Sequence, residues 1–93
     1  MDFTLREQSK DVFAFEYEKD GGKLAEITWI QNDDTMKMNH TFVSDALRGQ
    51  GVAKKLLDRA AGYAREHNFK MEPICSYVVS AFEKSDEYND IKK

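Results

Sequence analysis

Ninety-three residues, 41% of them hydrophobic and 33% charged, with one proline and five glycines, predict a single folded domain over residues 1–93 and exclude a disordered chain. Seventeen acidic against fourteen basic side chains give a net charge of -3, which argues against nucleic acid or a membrane surface as the main partner. The lone Cys75 excludes an internal disulfide framework, and with only His40 and His67 beside it there is no zinc spacing.

In chain order, Met1-Asp2-Phe3-Thr4-Leu5-Arg6 does not resemble a signal peptide, and no apolar run approaches about 18 residues, so a soluble cytoplasmic protein is expected. Phe3 and Leu5 point to a short first strand. Phe13, Phe15 and Tyr17 alternate with Ala14, Glu16 and Glu18, the period of a half-buried strand. Lys19-Asp20-Gly21-Gly22 is a turn, and the next run, Leu24 to Gln31, sets Ala25, Ile27 and Trp29 on one face. Glu26 and Thr28 take the other face, with Leu24 and Ile30 as exceptions. Asn32-Asp33-Asp34 turns into a strand from Thr35 to Val43, on which Met38, His40 and Phe42 should share a face. A helix from Gly51 to His67 follows from Val52, Leu56, Ala60, Tyr63 and Ala64, with Asn68 as its stop. The spacing predicts a strand from Lys70 to Tyr77, parallel to an earlier one across the helix, and Pro73 makes it an edge, bulged or splayed. Val78 to Lys84 should form a short helix, and Ser85 to Lys93 should fray.

The segment Leu47-Arg48-Gly49-Gln50-Gly51-Val52-Ala53-Lys54-Lys55 carries the functional signal. A glycine-rich turn at a helix start leaves several N–H groups without intrahelical partners, aimed the same way. No acidic residue lies between Asp45 and Asp58, although helix starts favour acids, and three cations cluster there instead. A bound anion accounts for the inversion. A Walker loop needs Gly-Lys-Ser/Thr, and the dinucleotide fingerprint needs glycine where Lys54 stands, so both fit poorly. Arg48-Gly49-Gln50-Gly51-Val52-Ala53 satisfies Q/R-x-x-G-x-G/A, the acyl-CoA signature of the GCN5-related N-acetyltransferases. With His40-Thr41-Phe42-Val43 and Pro73-Ile74-Cys75-Ser76-Tyr77-Val78, the chain resembles the small single-domain members of that family, of about 90 residues.

The resemblance implies a minimal α/β (α+β) fold of this type: a bent, mostly antiparallel sheet with one parallel strand–helix–strand crossover. It also implies acetyl-CoA as cofactor and an amine as acceptor. Gly49 to Ala53 would hold the pyrophosphate with Gln50 and Val52 in the loop, Lys54 or Lys55 the ribose phosphate, and Arg48 would complete the anion site. Thr41, Phe42 and Val43 would meet the pantetheine arm where the parallel strands diverge.

Acetyl transfer to an amine needs a base for the amine, a polarised carbonyl and an acid for the departing thiolate. Cys75, placed with Tyr77 on one strand face, could supply that proton, accept the acetyl group itself, or be a small buried apolar residue. His40 could be the base or a structural histidine. His67 reads as helix-end structure, Tyr77 as packing, and Asp86-Glu87 as solvated tail. Larger members carry helices between the first strands that build an acceptor pocket; only short turns stand here. The leading expectation is therefore an N-acetyltransferase. The alternatives are a non-catalytic acyl-CoA-binding module that presents its ligand to a protein partner, and a simple nucleotide or anion site.

Overall fold

Aspartate at positive φ makes the turns of the first half. The computed structural model describes residues 1–93, and in it strands β1 (Thr4–Ser9), β2 (Val12–Lys19), β3 (Gly22–Asn32) and β4 (Thr35–Val43) follow one another through two-residue turns. Asp11, Asp20 and Asp33 have φ of 64°, 54° and 54° there, a region Asp tolerates better than most residues. At the second turn Gly21 adds φ 80°, so both central residues are left-handed, the twist-matching hairpin geometry. The result is an antiparallel meander. Helix α1 (Val52–His67) then crosses over and strand β5 (Lys70–Pro73) joins parallel to β4, so the sheet order is β1-β2-β3-β4-β5. This mixed α+β architecture is the one expected.

Two β-bulges decide which side chains face the helices. Tyr17 pairs with Ala25 and Glu18 with Lys23, which leaves Leu24 as an extra residue and explains why it breaks the alternation. Ala25, Ile27 and Trp29 then line the helix face with Phe15, Met36 and Met38, all buried. The second bulge lies where Trp29 pairs with Met38 but Thr28 pairs with His40, leaving Asn39 over. His40 and Phe42 therefore leave the face of Met38 and turn to the open side of the sheet, while Thr41 and Val43 turn toward the helices. Periodicity across an uninterrupted strand had placed His40 with Met38; the inserted residue reverses that phase.

Helix α1 lays Val52, Leu56, Leu57, Ala60, Ala61 and Ala64 on the sheet, the alanines allowing close approach. It ends in Asn68 at φ 58°, with Phe69 N–H donating to Ala64 C=O at 2.8 Å, a left-handed stop that satisfies a terminal carbonyl.

The last strand is shorter than expected. β5 stops at Pro73, and helix α2 (Ser76–Lys84) starts where a strand to Tyr77 had been predicted. Pro73 cannot donate to a ladder, and the next two N–H groups, of Ile74 and Cys75, both turn onto the Met38 carbonyl at 3.1 and 2.9 Å. Val78 and Phe82, one turn apart, bury α2 in the common core. Nor does the tail fray. Tyr88 and Ile91 are buried, Met71 N–H donates to Ile91 C=O at 2.6 Å, and Lys93 N–H donates to Met71 C=O at 2.9 Å, so residues 91–93 line the outer edge of β5. No helix is long and apolar enough to cross a membrane.

Candidate functional site

The glycine turn is built by the segment before it. Ser44 follows β4, and its Oγ accepts from Ala46 N–H at 3.2 Å, starting a single 3-10 turn over Asp45–Leu47. Leu47 is buried and anchors that turn, so Arg48-Gly49-Gln50-Gly51 is presented at the start of α1. Gly49 and Gly51 have φ of 81° and 68°, and a Cβ added at either would meet no atom within 4 Å. The requirement for glycine is conformational, and the space in front of the turn is open. Gly51 caps α1 with no side-chain hydrogen bond, and the first turn holds no acid. The N–H groups of Gly51, Val52, Ala53 and Lys54 find no acceptor in the chain. Such a set of unpaired donors at the positive end of a helix fits a phosphate-type anion.

The cations divide. Arg48 Nη2 reaches Asp45 Oδ1 at 2.8 Å, both groups largely solvated, a pairing worth little in water. Lys54 turns along the helix to Asp58 Oδ2 at 3.1 Å, Glu87 Oε1 at 3.0 Å and Tyr88 Oη at 3.3 Å. Hydrogen bonds to Glu87 first, then to Asp58 and Tyr88, raise its ammonium well above the ordinary lysine range. Glu87, expected in a solvated tail, is thus a fixed acceptor, its carboxyl held below the usual range chiefly by Lys54. Lys55, by contrast, is exposed in the first turn of α1 and enters no ion pair.

Beside the turn, the sheet opens. β4 and β5 pair only from Thr35–Lys70 to Met38–Pro73, so residues 39–43 of β4 have no strand on that side. Cys75 caps α2 and its Sγ lies 3.4 Å from Thr41 Oγ1, across the start of the gap. It is half-buried rather than sealed in the core. Cys75 and Tyr77 do not share a strand face, because both belong to the start of α2. Burial raises the Tyr77 phenol. On the open face, His40 Nε2 stands 3.5 Å from Glu26 Oε2. Glu26 is only 9% exposed, although alternation marks it as one more outward strand residue; the contacts with Gln8, Lys23 and His40 that cover it leave no local signal. Burial pushes its carboxyl up, but hydrogen bonds from Lys23 and Gln8 outweigh this and hold it below the usual range. His67 is structural as expected, its Nδ1 2.9 Å from the Tyr63 carbonyl and its ring stacked on Phe69. A hollow of about 470 Å³ lined by Ala64, Arg65, Asn68, Phe69, Lys70, Asp90 and Ile91 lies at the far end of α1, away from these groups.

Similarity to known proteins agrees with this geometry. The family model described as GCN5-related N-acetyl-transferase matches residues 13–91. A GCN5-like protein from Staphylococcus aureus, solved by NMR, is 36% identical, with 97% of this chain and 87% of that one covered at a TM-score of 0.71. Protein NATD1 of Xenopus tropicalis is 39% identical over 44 residues, a stretch that covers 47% of this chain and 40% of that protein. At the level of fold alone, AAC(6')-Iy, solved with the bisubstrate analogue CoA-S-monomethyl-acetylneamine, superposes with a TM-score of 0.57 at 17% identity, covering 83% of this chain and 59% of that one. The matched span takes in the glycine turn, the gap between β4 and β5, and the tail, and the chain belongs to the GCN5-related N-acetyltransferase family.

Proposed function

We propose that the protein binds acetyl-CoA at the start of α1 and transfers its acetyl group to an amine. The observation that carries this reading is the set of unpaired N–H groups from Gly51 to Lys54, beside a β4 edge left free where β5 turns away at Pro73. The donors suit a pyrophosphate, and the free edge of residues 39–43 suits an extended amide-bearing arm, which can pair with it as an added strand. Lys55, the helix-start lysine without an ion pair, is the candidate for the ribose phosphate; Arg48 can exchange its solvated bond to Asp45 for a phosphate oxygen.

Acetyl-CoA supplies an activated acyl carbon and a thiolate leaving group. His40, on the open face, takes the proton that the amine loses as its nitrogen bonds to the acyl carbon. Cys75, on the helix face of the same gap, gives a proton to the sulfur as the carbon–sulfur bond breaks, and regains one from water. Thr41 Oγ1 orients that thiol from 3.4 Å. Isothermal calorimetry with acetyl-CoA tests the reading: binding should appear at millimolar ligand or below, and its absence rejects the proposal.

The two-residue turns of the first half leave no helices beside the gap to enclose an acceptor. This favours a second reading, an acyl-CoA-binding module without turnover. Incubation with acetyl-CoA and a diverse amine panel separates the two. Sustained release of CoA with acetylated product rejects the pure binder.

A further inference from the structure

Within the acetyltransferase reading, on which this rests, we infer that Glu26 is the positioning residue for His40. The open face of the sheet carries a polar cluster drawn from four strands. Gln8 of β1 donates from Nε2 to Glu16 Oε2 at 2.9 Å and to Glu26 Oε1 at 2.8 Å, bridging carboxylates that face each other across β2 and β3. Lys23 Nζ lies 2.9 Å from Glu26 and 3.9 Å from Glu16, while Arg6 reaches Glu16 at 3.4 Å and Glu18 at 2.8 Å. Glu26 Oε1 is thereby taken by Gln8 and Lys23. Oε2 remains, and it is the atom facing His40 Nε2 at 3.5 Å.

The arrangement does more than pack. Glu16 and Glu26 are 7% and 9% exposed on a face that no helix covers, so their side chains are held by these contacts rather than swinging in water. At this separation the pair is a charge contact rather than a closed hydrogen bond; a fixed negative charge beside Nε2 favours the neutral ring with its hydrogen on that nitrogen and leaves Nδ1 as the lone pair. The amine proton passes to Nδ1, and the imidazolium so formed stands beside Glu26. Three carboxylates (Glu16, Glu18 and Glu26) face two cations (Arg6 and Lys23), and the protonated ring completes the balance. The bulge at Asn39 makes this meeting happen. It pairs His40 with Thr28 across the strands and sets it diagonally from Glu26; Thr28 Oγ1 donates to Asn39 Oδ1 at 2.7 Å and fixes the bulged residue.

The first test needs no turnover. At about pH 9, where an imidazole is neutral, long-range proton–nitrogen NMR of the wild-type chain should show the His40 hydrogen on Nε2. Glu26→Ala should shift the ring toward a mixture of tautomers. A wild-type ring protonated mainly on Nδ1, or a spectrum unchanged in the variant, overturns the inference. With an amine acceptor in hand, Glu26→Gln should lower kcat about tenfold, with acetyl-CoA affinity unchanged. A lowered kcat with the His40 tautomer unmoved marks Glu26 as merely structural. Failure of the wild type to bind acetyl-CoA removes the function itself and this role with it; intact binding with an unchanged tautomer removes only Glu26.

Discussion

Single residues at this site differ in how their energy is committed. Lys54 and Lys55 are neighbours, yet Lys54 is held by Asp58, Glu87 and Tyr88 while Lys55 is in no ion pair. Lys55→Ala should therefore weaken acetyl-CoA binding about three- to tenfold and reduce its salt dependence, whereas Lys54→Ala should chiefly loosen the tail; calorimetry at two ionic strengths and thermal melts distinguish them. Gly51→Val should destabilise the fold by about 1–2 kcal/mol, because φ 68° is costly for a branched side chain, and should abolish anion binding more completely than it lowers Tm. Mass spectrometry after acetyl-CoA exposure decides the chemistry of Cys75. Unmodified wild-type protein fits the acid role, and an acetyl group lost in Cys75→Ala shows a covalent route. At this scale the sequence disclosed the glycines and the absence of helix-start acids, since both are local. The pairing of Lys54 with Glu87 joins residues 33 positions apart, which no local pattern encodes.

Elements were readable where their period ran uninterrupted. Helix α1 and the hairpins β2–β3 and β3–β4 have the expected bounds to within a residue or two, because apolar spacing and turn chemistry agree there, whereas Phe3 and Leu5 marked a first strand without its bounds or its turn. The misreadings cluster at inserted or terminating residues. An extra residue at Asn39 reverses the phase of β4, and alternation cannot reveal an insertion of one. Pro73 signalled a disturbed edge, but whether the chain would splay or turn depended on Ile74 and Cys75 finding the Met38 carbonyl. A strand reaching Tyr77 would have kept Cys75 and Tyr77 on one face; the turn instead hands Cys75 to Thr41. The packing of α1 on the sheet predicts that Leu56→Ala, at a fully buried position, lowers stability by about 2–5 kcal/mol in a denaturant titration.

Across the molecule, the tail and α1 are tied by titrating groups, and this fixes an alkaline limit. Burial first, then the hydrogen bond donated to Asp58 at 2.5 Å, pushes the Tyr88 phenol up to about 12. The folded state thus binds more protons than the unfolded state once pH exceeds the ordinary phenol value of 10.0. Its stabilising contribution is complete below that pH and is lost as pH rises toward 12; the raised Lys54 ammonium acts in the same direction. Wild-type Tm should fall over that window, and Tyr88→Phe should start lower at neutral pH but decline less.

One further consequence follows from a sheet whose strand order equals chain order. Each antiparallel pairing joins neighbours in the chain through a two-residue turn, whereas β4 meets β5 only after the whole of α1 has been traversed. Closing that long loop is the slow, entropically expensive event, so the meander should assemble early and the cleft last. Conservative truncations in β2 and β3 should then slow refolding, while truncation at Met71 should mainly speed unfolding. Binding competence would be acquired at the end of folding, and a ligand that bridges β4 and β5 would act as a kinetic clasp on the part of the chain that arrives last.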